Sequence, residues 1–340
     1  MLKDLHIIKK EIEQAIYDLD LNLEGLTILT EAGTGLFALT PIIAALANAK
    51  KVYALSKDTQ YGTFEQVKIT VDKIMEQYSI PKEKISVLKR EDFKDYAKIN
   101  IITNLGHVRP LDEKFLSKIP KNAVISYMRE VWEYRNDDLD IDLCKKYNIK
   151  IAATDEEHPM VNCFRETGLI PLQLAIESKI SIFDANILII SRDKFGKHIK
   201  QAFLPFTKNI LIYSDFSQNI TQFLSENLNL IITADFLYPD TIIGNKGLIA
   251  PNVIKKYSPY VKIIQCCGKN TLQDILSEKI SIYPEIQLEP IRMIRTLADI
   301  SYKALIRLHA GGLKVGEFLY KNSKIHNIPP EVPIKFFDYE

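Results

Sequence analysis

Cysteine, charge imbalance and long apolar runs are all scarce in this chain. Its four cysteines, Cys144, Cys163, Cys266 and Cys267, have neither metal-ligand spacing nor the density of a disulfide framework, which fits a reducing, cytoplasmic setting. The 44 basic and 43 acidic residues nearly cancel, and no block of like charge runs beyond a few residues, so nothing suggests a nucleic-acid footprint or a membrane-attracted patch. The longest apolar run, residues 36–49, is too short to span a bilayer, and residues 1–20 read as an amphipathic charged helix instead of a signal peptide. Low-complexity linkers and solenoid repeats are lacking too. What is there is an ordinary globular composition of 340 residues, 46% hydrophobic and 26% charged, long enough for two domains with a core each. A small-molecule ligand and a homodimer are the expected partners.

The first half alternates strands and helices. Strands are expected at 26–30, 51–55, 84–88, 100–103, 123–127 and 150–153, with helices at 36–49 and 64–78. Continuous apolar strands bounded by turn residues argue for a parallel sheet covered on both faces, so residues 1–158 read as one α/β domain that carries the ligand or substrate. A helix at 164–180 then leads into strands at 187–190, 210–213, 230–232, 261–264 and 280–283, a second α/β domain over 159–290. The last helix, 291–308, follows Pro290 and is expected to stop at Gly311-Gly312, with residues 291–340 bracing the two domains. The fold class is therefore α/β: two Rossmann-like domains, parallel sheets flanked by helices, and a cleft between them.

Candidate chemistry gathers at strand ends, where parallel sheets keep their ligands. In the first domain Glu31-Ala32-Gly33-Thr34-Gly35 hands a strand over to a helix, and its glycines let backbone pass close to a bound molecule. Asn104, His107 and Arg109 follow another strand. The densest polar cluster is Arg129, Glu133 and neighbours, then Glu156, His158 and Arg165. An arginine, a carboxylate and a histidine there bind an anion and transfer a proton. On this reading Arg129, Arg165 and Arg109 hold the anion and His158 is the acid–base group, with His107 the runner-up. His309 reads as a packing or capping histidine, and His6, His198 and His326 as surface residues.

The second domain opens with strand 187–190, then Ser191, Arg192, Asp193, Lys194, Phe195 and Gly196, a helix, strand 210–213 and Asp215. Set against the dinucleotide fingerprint G-x-G-x-x-G, the glycine positions hold Ser191, Asp193 and Gly196, while Asp215 stands where a ribose-binding carboxylate is expected. Cys266-Cys267-Gly268 ends a later strand facing the same crevice.

Two resemblances follow. The run Glu31 to Leu36, with Val52 to Leu55 and Glu91-Asp92, looks like the opening of class I S-adenosylmethionine-dependent methyltransferases, although Ser56 replaces the acidic residue of that family and Asp58 comes two residues late. The order of parts over most of the chain resembles the formate/glycerate dehydrogenase-like superfamily, which includes D-2-hydroxyacid dehydrogenases and S-adenosylhomocysteine hydrolase. The carrying segments are 153–159, the unit from Ile187 to Asp215, the strand ending at Gly268, and Gly311 to Gly316. That resemblance implies an NAD(P)-dependent oxidoreductase of a small anionic metabolite, with Ser191, Asp193, Phe195, Gly196, Asp215, Cys267 and Gly268 at the cofactor. The alternatives are an adenosyl ligand such as S-adenosylmethionine at the Gly33–Gly35 turn, or a cofactor-free scaffold protein.

Overall fold

The computed structural model describes residues 4–322 and 327–337, so His326 lies outside the described residues. In chain order the elements are α1 (Leu5–Asp18), β1 (Thr27–Glu31), α2 (Leu39–Leu46), β2 (Lys51–Leu55), α3 (Phe64–Gln77), β3 (Ile85–Leu88), β4 (Ile101–Thr103), α4 (Glu113–Leu116), β5 (Val124–Tyr127), α5 (Ile141–Lys146) and β6 (Lys150–Thr154). They continue with α6 (Cys163–Thr167), α7 (Leu169–Glu177), β7 (Ile187–Ile190), α8 (Phe195–Phe203), β8 (Ile210–Tyr213), β9 (Leu230–Ala234), β10 (Thr241–Ile243) and α9 (Pro251–Tyr257). The chain closes with β11 (Lys262–Cys267), β12 (Lys269–Asn270), α10 (Leu272–Ser277), β13 (Ser281–Tyr283), α11 (Tyr302–Lys321) and β14 (Ile334–Lys335). Two compact units result: residues 1–163 with 301–340, and residues 164–300. The fold is α/β, with parallel sheets flanked by helices, as the strand pattern leads one to expect.

In the first unit the sheet order is β14-β6-β5-β4-β1-β2-β3. All its pairs are parallel except β14, which runs antiparallel to β6 with Ile334 opposite Thr154. Every residue of β1 and β5 is buried, as strands covered on both faces require. The order reverses between β1 and β4, which makes that point the natural ligand crevice of the sheet. In the second unit the order is β13-β11-β9-β7-β8, all parallel, with the reversal between β7 and β9.

Two expectations about helices are corrected. The helix expected at 164–180 is divided into α6 and α7 at Gly168, where a Cβ would lie 2.4 Å from the His198 carbonyl oxygen. His198 itself is half-buried and stacks on Phe164, so it is not a plain surface residue. The last helix begins at Tyr302, after the Ser301 cap, and runs straight through the glycines meant to stop it. These glycines are buried against the sheet. A Cβ would meet Met128 Sδ at 2.2 Å from Gly312, Val161 Cγ2 at 2.6 Å from Gly311 and Ile101 Cγ2 at 2.5 Å from Gly316. They allow α11 to lie close on β4, β5 and β6, where their cost in helix propensity is offset by packing. His309 on the same helix is fully buried and hydrogen-bonds Thr40 at 2.7 Å, the packing role expected of it.

Among the described residues no helix is long and apolar enough to cross a membrane.

Candidate functional site

Three constellations contain the residues singled out from the sequence. The first lies at the β1/β4 reversal. Glu31 closes β1, Ser56 follows β2, and Asn104 follows β4; Ser56 and Asn104 are each 1% exposed. Asn104 Oδ1 accepts the Met128 N–H at 2.7 Å, which fixes the amide so that Nδ2 is the end left over. Ser56 Oγ, Asn104 Nδ2, His107 Nδ1 and Arg109 Nε are all buried without a hydrogen-bond partner among the described residues. Such groups are costly, and three of them on the loop after β4, with Ser56 after β2 on the far side of β1, call for ligands or ordered water.

The loop is tied down from both sides. The His107 N–H donates to Glu31 Oε2 at 2.9 Å, and Arg109 Nη1 pairs with Asp138. Arg129 reaches the same Asp138 at 3.8 Å. Gly106 lets the backbone pass close, since a Cβ there would stand 3.2 Å from Glu31 Oε2 and 3.6 Å from Arg109 Nη2. Burial pushes the His107 pKa down, with Glu31 opposing it, so the ring favours its neutral form.

The Gly33–Gly35 turn is shaped for its own chain. Gly33 N–H donates to the Phe37 carbonyl at 3.1 Å, a Cβ at Gly33 would come within 2.8 Å of Phe37 Cβ, and Gly35 has φ +60°. Thr34 is half-buried, its methyl against Gly62. Asp58 accepts the Phe64 N–H at 2.7 Å at the start of α3. With Ser56 buried and Asp58 capping a helix, the end of β2 has no carboxylate to spare for a ribose, and the S-adenosylmethionine alternative is without support.

The second constellation lies beyond β5 and β6. Glu130, 1% exposed, accepts from Lys335 Nζ at 2.8 and 3.0 Å and from the Glu156 N–H at 3.0 Å. Lys335 also holds Asp155 at 2.6 Å. Glu133 and Glu156 are bonded to each other, and Cys163 Sγ lies 2.9 Å from Glu156 Oε2. Burial pushes Glu156 and Cys163 well up and Glu133 up, with Arg129 opposing the last. Two carboxyls that close share a proton more readily than they carry two charges. Glu133 and Glu156 thus sit beside Glu130, which with Asp155 holds Lys335 of β14. His158 lies in the turn after β6, half-buried, with Nδ1 accepting the Met160 N–H at 3.3 Å, which leaves the proton on Nε2. Arg165 is exposed on α6 and belongs to the second unit.

The third constellation is the turn between β7 and α8. Asp193 Oδ1 accepts the Phe195 N–H and the Ser191 hydroxyl, each at 2.9 Å, and Oδ2 accepts the Phe236 N–H at 2.7 Å. Ser191 Oγ in turn accepts the Gly196 N–H at 3.1 Å. Arg192 grips the buried Asp235 through Nε at 2.8 Å and Nη2 at 3.1 Å, and packs over the rings of Phe216 and Tyr238 at 4.6 and 4.8 Å. Gly196 sits in close helix–strand contact, where a Cβ would stand 3.1 Å from Ser191 Cβ. Asp215 is exposed at the end of β8, held by Ser217 at 2.6 Å and Gln218 at 3.0 Å, and these bonds keep its pKa low. Gly268, with φ +86°, passes Asp235 O at 2.7 Å from where a Cβ would be; the neighbouring Cys267 thiol is buried and pushed well up.

Sequence reasoning missed Asp138, Asp235 and Lys335. Asp235 stood in plain view, an acid directly after a fully buried strand at the sheet's reversal. Asp138 and Lys335 carry no local signal, since their partners are remote in sequence.

No family model and no curated protein matches the chain. Among solved structures it is similar to a component of dipicolinate synthase from Bacillus halodurans, with 13% identity over 85% of this chain and 96% of that one and a TM-score of 0.51. It is more distantly similar to the NAD+-bound 3-phosphoglycerate dehydrogenase of Entamoeba histolytica, at 12% identity over 88% and 97% and a TM-score of 0.42. The apo D-mandelate dehydrogenase of Rhodotorula graminis matches at 10% identity over 84% and 91%, also with a TM-score of 0.42. At these identities the likeness is one of fold.

Proposed function

We propose that the protein is an NAD(P)-dependent-oxidoreductase-like protein that takes a small anionic metabolite on its first unit and meets the nucleotide with its second. The observation that carries the substrate half is the set of orphaned buried groups at the β1/β4 reversal. Asn104 Nδ2 and Arg109 Nε can only donate, so an acceptor such as a carboxylate satisfies both, with Ser56 Oγ and neutral His107 able to adapt. Each buried group left unpaired costs about 1–3 kcal/mol, so a ligand that pairs several is bound with real gain. Arg129 and Arg109, both on Asp138, supply the positive charge. His158, with its proton on Nε2, is the acid–base candidate.

The cofactor half rests on Gly196, on Asp215 as the ribose carboxylate, and on the parallel order of the second sheet. Its diphosphate end does not fit as the turn stands, because Asp193 and Ser191 already engage the Phe195, Gly196 and Phe236 amides. This occupation favours a second reading, a scaffold that binds the metabolite and no nucleotide.

Calorimetric titration of the full chain with a panel of small mono- and dicarboxylates tests the substrate half. The expected result is that R109Q weakens the best carboxylate at least tenfold, whereas H158A keeps binding and abolishes turnover. Equal affinity in wild type and R109Q removes the anion site from the first unit.

A further inference from the structure

The amides that a diphosphate would need in the second unit are held by the chain's own side chains. At a parallel-sheet reversal, the first turn of the helix after the first strand offers N–H groups and the positive end of a dipole to an anion. Here that helix is α8, and its Phe195 and Gly196 amides go to Asp193 Oδ1 and Ser191 Oγ. The Phe236 amide, following β9 on the other side of the reversal, goes to Asp193 Oδ2 at 2.7 Å. One carboxylate therefore bridges both sides of the crevice, as a bound phosphate would. Arg192 completes the filling: its guanidinium carbon lies 4.6 Å from the ring centre of Phe216, just after Asp215, and 4.8 Å from that of Tyr238, while its charge is neutralised by Asp235.

We infer that the Arg192–Asp193 pair is a built-in occupant of the nucleotide crevice, and that a ligand carrying a nucleoside diphosphate binds only when Asp193 leaves the Phe195 and Phe236 amides. This rests on the reading that the second unit meets a nucleotide. The Asp193 carboxylate is a replaceable occupant: it sits in a place where burial pushes its pKa up to about 6, and it is retained by three donors that a phosphate can satisfy equally well. It also adopts no left-handed backbone, so alanine as well as glycine is compatible with the position. The occupant keeps the crevice satisfied without a ligand and sets a threshold that only a tightly bound nucleotide passes.

The test is calorimetric titration of the full chain with ADP, NAD and NADP in wild type, D193A and D193G, with melting temperature as the check on folding and amide hydrogen exchange at Phe195 and Phe236 as a second readout. The expected result is at least a tenfold gain in affinity for one of these probes in D193A or D193G. Exchange at the two amides should be faster in D193A than in wild type and slowed again by the bound probe. Equal nucleotide affinity in wild type and both variants overturns the inference and leaves the oxidoreductase reading standing. Absence of binding in all three folded proteins overturns the reading and the inference together. Should D193G fail to fold, D193A alone decides, and amides that exchange equally slowly in wild type and D193A overturn the role given to the carboxylate.

Discussion

His309 shows how a single buried side chain makes stability depend on pH. Its ring is fully buried, hydrogen-bonded to Thr40, and its pKa is pushed down to about 4 by burial. The unfolded chain takes up the proton first, at about 6.5, so the native state loses ground as pH falls from there to about 4, by about 3 kcal/mol in all. Above pH 6.5 the residue contributes no slope. Urea unfolding at pH 7 and pH 5 should therefore show a loss that H309L, whatever its own cost, does not share. Glu156 behaves in the opposite sense: burial raises its pKa, so it favours the protonated form, and E156Q should cost under about 1 kcal/mol near neutral pH, whereas E156A should cost about 2 kcal/mol through the lost packing and hydrogen bonds. Thermal unfolding of the two variants checks this.

At the same scale the candidate residues were readable unequally. Asn104, His107 and Arg109 follow a strand, and parallel-sheet logic suffices to pick them. Glu133 and Glu156 read as cleft carboxylates because nothing local reveals that they bond each other and Cys163, and their neighbours Glu130 and Asp155 hold Lys335 of β14, an antiparallel strand beside β6 that the sequence does not announce. Asp193 is visible in the sequence at a glycine position of the dinucleotide fingerprint, but its bond to Phe236 depends on β9 lying next to β7.

Of the two helices read wrongly, α11 is the more instructive. Gly311-Gly312 is a sound helix stop in an exposed helix, where glycine's cost is unopposed. In a helix laid on a sheet the same glycines set the distance of approach, and sequence periodicity does not distinguish the two. Alanine at an exposed helical glycine gains up to about 1 kcal/mol; G316A should instead cost about 2 kcal/mol, because its Cβ meets the branched, buried Ile101 Cγ2 at 2.5 Å. Chemical denaturation of G316A decides the sign. The longer strands, by contrast, were legible to within three residues, since apolar runs bounded by turns have few other uses in an α/β chain, whereas the short β10, β12 and β14 carry too few residues to announce themselves.

On the scale of the molecule, two sheets with different reversals carry the two halves of the proposed function. The first has orphaned donors and room in its chemistry for an anion. The second has a satisfied crevice and a carboxylate, Asp215, left facing out at its ribose end. The most direct test is the nicotinamide absorbance of reduced NAD and NADP mixed with the purified chain and a panel of small 2-oxo acids. The account predicts oxidation that depends on one of the acids, is lost in H158A, and is faster in D193G at low cofactor concentration. No absorbance change with any acid, in wild type and in a D193G protein that binds the cofactor, would contradict it.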